Sequence, residues 1–218
     1  MKKIKSIAAI TILAAGATQA ATITWTGFKT TGDPTDVLNA GTTVEAFNAT
    51  NDTGNVTVNG VTFTNTDTLL SNGAGPFFTD FTSSDPGYQA LLETTDFAPN
   101  TGATFTRSFS GLTTGQEYAI QYWFVANNVT TRTMTVTASG TSTTGSGDLI
   151  LNANGNGTDL NSAIGTFTAD AATQDFTIIS SANGVRITAL QLRAVPEPSS
   201  AALLSIGGLS LIMRRAKK

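Results

Sequence analysis

Neither cysteine nor histidine occurs anywhere in the 218 residues. Their absence excludes a disulfide framework. It also removes Ser-His-Asp and Cys-His catalysis and most zinc or copper chemistry. Charge is sparse, at 12% of residues, and unevenly placed. Lys2, Lys3, Lys5, Arg214, Arg215, Lys217 and Lys218 take most of the basic side chains to the two ends. Residues 21–195 hold five basic and 14 acidic groups, a balance of −9. Phosphate binding needs clustered Lys and Arg, so no nucleic-acid partner is expected. Long hydrophobic runs are missing too, and none reaches the ~20 residues that span a bilayer as a helix.

Two short apolar runs are nevertheless present, one at each end. Met1-Lys2-Lys3-Ile4-Lys5 is a basic leader to the apolar stretch 6–15, and Thr18 and Ala20 are small residues before Ala21. That pattern is a signal peptide over residues 1–20, cleaved by signal peptidase between Ala20 and Ala21. At the other end, Val195-Pro196-Glu197-Pro198 precedes an uncharged run from Ala201 to Met213 and the basic cluster at Arg214-Arg215. Prolines 196 and 198 disallow helix or interior strand, which keeps the motif extended and accessible. A helix over 201–213 is about 20 Å long, short for a ~30 Å hydrocarbon core, so flanking residues must stretch or the bilayer must thin. The basic cluster is expected to stay cytoplasmic.

Val195-Pro196-Glu197-Pro198, Gly207-Gly208 and Arg214-Arg215 together resemble a PEP-CTERM sorting domain. The resemblance covers residues 195–218. It implies recognition by an exosortase, a membrane cysteine transpeptidase, with processing near the Pro-Glu-Pro motif. It further implies that the chain accompanies exopolysaccharide and biofilm production. Cell-surface or extracellular-matrix localisation after C-terminal processing is the corresponding expectation, with contact to the membrane only before it.

Between the ends, residues 21–194 read as one all-β domain. Thr, Val, Ile, Phe and Tyr alternate in short runs, separated by Gly and Asn, with no long helical periodicity. Strands are expected at 22–28, 55–63, 104–109, 117–125, 132–137, 174–180 and 185–193. Asn59-Gly60 and Asn183-Gly184 are hairpin signals, and residues 140–147, all Gly, Ser and Thr, read as a loop. In 118–125 both alternating faces are partly apolar, as in a central strand or the wall of a covered groove. Leu112-Thr113-Thr114-Gly115-Gln116-Glu117-Tyr118 resembles the tyrosine corner of fibronectin-like sandwiches, which makes Tyr118 structural. The segments 55–63, 111–118, 164–170 and 187–193 resemble a jelly-roll pattern, like galactose-binding-like or lectin-like sandwiches. The expected fold is therefore a single jelly-roll-like β-sandwich.

Candidate chemistry is thin. Glycoside hydrolysis needs only two suitably separated carboxylates. Of Glu45, Glu93 and Glu117, only Glu93 has a close acidic neighbour, Asp96, and that pair reads as solvated loop charge. The oxygen-rich segments 33–36, 48–55 and 152–159 suit a structural Ca²⁺ and suit metal-free turns equally, so no cofactor is assigned. Sugar binding needs exposed aromatic platforms beside polar groups. Trp25, Tyr88 and Tyr122 are expected in the core. Trp123, beside Gln121, is the candidate ligand contact. A non-enzymatic surface or matrix protein is the leading expectation, with a carbohydrate-binding module second and a glycan-active enzyme third.

Overall fold

Runs of β-branched and aromatic residues interrupted by Gly, Asn and Asp turns fold into fourteen short strands among the described residues. The computed structural model describes residues 23–28, 30–49, 54–66, 70, 75–76, 83–98, 102–124, 133–139, 149–152, 162–180 and 184–196. In chain order the strands are β1 (Thr24–Phe28), β2 (Thr42–Asn48), β3 (Val56–Val58), β4 (Val61–Asn65), β5 (Gly75–Pro76), β6 (Thr94–Ala98) and β7 (Thr104–Ser110). They continue as β8 (Glu117–Trp123), β9 (Thr133–Ser139), β10 (Leu149–Asn152), β11 (Ser162–Thr168), β12 (Thr173–Ser180), β13 (Val185–Ile187) and β14 (Ala189–Ala194). One helix, α1 (Pro86–Glu93), precedes β6.

A seven-stranded sheet in the order β1-β11-β8-β14-β2-β4-β3 faces a four-stranded sheet in the order β10-β9-β12-β7, and β13-β6-β5 form a small third sheet. Most of the described backbone is strand, and neither large sheet closes on itself among the described residues. This is an open, all-β, sandwich-like fold. From β7 to β14 the chain crosses repeatedly between the two large sheets, β8, β11 and β14 entering the first and β7, the β9–β10 pair and β12 the second, with β13 in the small third sheet.

Tyr122 of β8 and Trp25 of β1 both meet Phe176 of β12, with ring centroids 5.8 and 5.5 Å apart, and so join the two sheets. Arg107 of β7 pairs with Glu45 of β2 and lies over the Phe47 ring. That ion pair ties β7, an edge strand, to β2 of the larger sheet. Trp25 needs room to reach Phe176, and Gly165 provides it. A Cβ at Gly165 falls 2.6 Å from the Trp25 ring and 2.7 Å from Ile23 Cγ2. Gly165→Ala is expected to cost about 1–3 kcal/mol through overpacking, read as a lower denaturant midpoint.

Several expectations hold. The Asn59-Gly60 turn has positive φ at both residues, 47° and 76°, and joins β3 to β4 as a two-residue hairpin. β8 is a central strand, flanked by β11 and β14, and buried from Tyr118 to Trp123. The Tyr118 hydroxyl accepts a hydrogen bond from the Thr113 amide at 2.9 Å, so the corner is built as expected. β2, β5, β6, β10, β11 and α1 are additions, and the single strand expected over 185–193 is divided between β13 and β14, which enter different sheets. In α1, Asp85 Oδ1 accepts from the Tyr88 amide at 2.7 Å and Pro86 opens the helix, a capped start for eight residues too few to display a period. The segments 1–20, 140–147, 153–159 and 197–218 lie outside the described residues, as do Ala20, Ala21, Glu197, Pro198, Arg214 and Arg215.

Candidate functional site

Alternation along β8 sends Gln121 and Trp123 to the face of the seven-stranded sheet that looks away from the four-stranded one. Trp123 and Gln121 are the candidate ligand contacts, against a core placement that is the commoner one for aromatics in a sandwich, and the structure puts both in the interior. Trp123 is 0% exposed. Its ring meets Phe63 of β4 edge-on at 5.7 Å between centroids, and its indole N–H donates to the Tyr88 hydroxyl of α1 at 3.3 Å. Gln121 is equally buried. Its Oε1 accepts from the Leu38 amide at 2.9 Å and from Gln191 Nε2 at 2.7 Å, and its Nε2 donates to the Asp36 carbonyl at 2.6 Å. Both side chains are committed to internal partners because residues 30–41 and α1 cover this face.

The covering segment is fastened at three levels. Thr30 Oγ1 and Ser162 Oγ share a hydrogen bond of 2.6 Å at one end of the sheet. The Gln121–Gln191 pair holds Asp36 and Leu38 in the middle, Gln191 Nε2 also reaching the Leu38 carbonyl at 3.0 Å. Arg193 closes the other end. Its guanidinium donates to the carbonyls of Ala40, Asn39 and Gly41, each at 2.7 Å, to Thr43 Oγ1 at 2.6 Å, and to Gln191 Oε1 at 3.4 Å. Five donors meet five neutral acceptors. Desolvation of the cation lowers its pKa from the usual arginine range. Composition offered no signal for this clasp.

The remaining acidic candidates also have structural partners. Asp33 accepts from the Thr35 amide at 2.8 Å and its hydroxyl at 2.7 Å, which lowers its pKa and caps a short 3-10 turn over 34–36. Asp36 accepts from the Thr31 amide at 2.8 Å and from the Tyr88 hydroxyl at 3.1 Å. Glu93 accepts from Gln89 at 2.7 Å. Asp96 overturns the solvated-loop reading. It is fully buried in β6, and its carboxylate accepts from the Leu70 and Phe97 amides. Among the described residues, no three His, Cys, Asp or Glu side chains gather where one ion could bind them all.

Two tyrosines carry a pH signature. Burial pushes the Tyr88 phenol far up, reinforced by the Asp36 carboxylate, and burial alone does the same to Tyr122. Below the ordinary phenol value of 10.0 both are protonated whether the chain is folded or not. Above it the unfolded chain ionises first, so stability falls as pH rises. Phenolate absorbance from these two residues is therefore expected to appear together with the loss of β-sheet circular dichroism. Ionisation of Tyr88 and Tyr122 in the folded protein contradicts this.

The C-terminal exit is the feature that remains. β14 is paired along its whole length with β8 on one side and β2 on the other. Val195 is still held: its amide donates to the Glu117 carbonyl at 2.9 Å, and its own carbonyl accepts from Gln116 Nε2 at 2.6 Å. Pro196, the next residue, is exposed. Beside this exit, Thr24, Glu117, Thr166, Phe167 and Thr168 line an open, hydroxyl-rich hollow of ≈ 210 Å³. No helix among the described residues is long and apolar enough to cross a membrane.

Comparison with known proteins adds little to this geometry. No protein-family model matches the sequence, and no curated protein is similar to it. Similar solved structures include Bacteroides uniformis β-glucuronidase 2 carrying D341A and D367A calcium-binding mutations, at 14% identity and a TM-score of 0.46. The same enzyme covalently bound to cyclophellitol-6-carboxylate aziridine has 15% identity and a TM-score of 0.44. Each likeness covers 70% of this chain and 18% of the other. A GH115 4-O-methyl-α-glucuronidase, BtGH115A, has 14% identity and a TM-score of 0.32 over 48% of this chain and 15% of its own. Similarity at this level carries no functional argument. The class that fold and site define is an all-β sandwich whose chain leaves from a central strand.

Proposed function

We propose that the chain is an exported, non-enzymatic protein of the cell surface or extracellular matrix, sorted by its C-terminal segment. The observation that carries the reading is the C-terminal exit. The body is tied down through Val195 and released at Pro196, the first proline of the Pro-Glu-Pro motif. Cleavage beyond Pro196 would leave in place the hydrogen bonds that hold Val195 to the sandwich. Signal peptidase and exosortase are the partners during export, and exopolysaccharide is the partner of the mature body. The repeated crossing of the chain between sheets supports a jelly-roll topology for that body.

Because Trp123 and Gln121 are interior, the carbohydrate-binding reading loses the two residues on which it rested. Residues 50–53 and 153–159 keep their oxygen-rich composition, and calorimetric titration with Ca²⁺ tests them for a structural ion.

Mass spectrometry of the protein isolated from its producer tests the sorting reading. A mature chain that begins at Ala21 and ends near residues 195–198 supports it. An intact C-terminal peptide through Lys218 in the mature protein overturns it. Deletion of the gene is expected to alter matrix cohesion or surface properties, and an unchanged matrix overturns the matrix role.

A further inference from the structure

The two ends of the described body leave the seven-stranded sheet at the same rim. The register runs Thr24 to Thr166, Thr166 to Ala119, and Ala119 to Arg193, so the start of β1 is level with the end of β14. Three strand spacings separate the two exits, about 14 Å at ~4.8 Å each. Only residues 16–22 lie between the apolar stretch 6–15 and Ile23, and only 197–200 lie between Pro196 and the apolar run 201–213. At ~3.6 Å per residue the N-terminal connection reaches at most about 29 Å and the C-terminal one about 18 Å.

Both exits are held firmly. Ile23 is fully buried. Arg193, Val195 and Gln116 fix the end of β14. Such short connections from a rigid body restrict how it can turn relative to whatever holds the terminal segments.

We infer that this rim, formed by the start of β1, the end of β11 and the end of β14, is the face the sandwich turns toward a lipid surface while its terminal apolar segments are in the membrane. The inference rests on the sorting reading above and adds an orientation to it. The opposite rim, where β8 ends at Trp123 and β2 at Asn48, then faces outward. One tether or two gives the same placement, because both leave from one side.

The chain contains no cysteine, so a single introduced thiol is a unique label. Thr42 and Thr168 are exposed near the proposed membrane-facing rim, and Thr64 is exposed toward the other, at the level of Phe47. Five residues of strand separate the two levels, about 16 Å. The full chain carrying Thr42→Cys, Thr168→Cys or Thr64→Cys is labelled with a donor fluorophore and reconstituted into phosphatidylcholine–phosphatidylglycerol vesicles containing an acceptor-labelled lipid. Unchanged circular dichroism establishes that each variant is folded.

Energy transfer is expected to be greater from positions 42 and 168 than from 64. Equal transfer from all three, or greater transfer from 64, in a chain that floats with the vesicles overturns the orientation and leaves the sorting reading intact. A chain that does not float overturns membrane insertion of the tail, and the orientation with it.

Discussion

Trp123→Ala is expected to lower the unfolding free energy by about 3–5 kcal/mol, the range for removing a large buried aromatic side chain. The indole fills the space between Phe63 and α1, and its N–H supplies a hydrogen bond to the Tyr88 hydroxyl. Truncation leaves a cavity and takes away that donor. Tyr88 still donates to Asp36, so the phenol is not orphaned. The cavity is therefore the larger part of the loss. Equilibrium denaturation measures it directly, and Trp123→Phe, which keeps most of the ring volume, is expected to recover a large part. A surface tryptophan would behave differently, with the midpoint unchanged on truncation. An unchanged midpoint for Trp123→Ala would sink the assignment of this residue to the core.

Arg193→Met is expected to cost about 1–3 kcal/mol, because it removes the charged donor shared by carbonyls of exposed and half-buried residues in the covering segment. The carbonyls of Asn39, Ala40 and Gly41 lose their shared partner at once. Methionine restores much of the packing volume, so the loss isolates the hydrogen bonds. Lysine is expected to rescue little, since a point charge with three donors cannot reproduce the planar five-donor fork. Denaturation midpoints of both variants decide. Hydrogen exchange adds a local readout, in which the Leu38 amide should lose protection as the covering segment loosens. Lysine equal to wild type would mean that charge alone matters at this position.

Both predictions concern the same sheet face, and that face marks the limit of what was legible. Alternation in residues 118–125 correctly put Gln121 and Trp123 together and opposite Tyr118, Ile120 and Tyr122. It was silent on what lies over them. The cover comes from Leu38, 83 positions from Gln121, from Ala40, 153 positions from Arg193, and from a helix of eight residues. Asp96 failed for a related reason. A carboxylate beside a Phe-Ala-Pro-Asn sequence looks like a turn charge, but the Leu70 amide, 26 residues away, comes to meet it. One local signal for α1 lies in the sequence itself: Asp85 followed by Pro86 is a cap and a first helical residue.

What the sequence determined by itself is local or compositional. Asn59-Gly60 dictated a hairpin because both residues tolerate positive φ, and Leu112 to Tyr118 dictated a corner because the tyrosine bonds backbone five residues away. The lack of histidine and cysteine excluded whole classes of catalysis, and the order of charge, apolar run and proline at the two ends carried the expectation of export. The tertiary structure decided which face of each strand is covered, whether Trp123 meets solvent or Tyr88, and that β1 begins where β14 ends. The reason is physical. A period of two records which side chains share a face, whereas burial and strand order depend on contacts between segments far apart in the chain, whose pairing energy no single stretch contains.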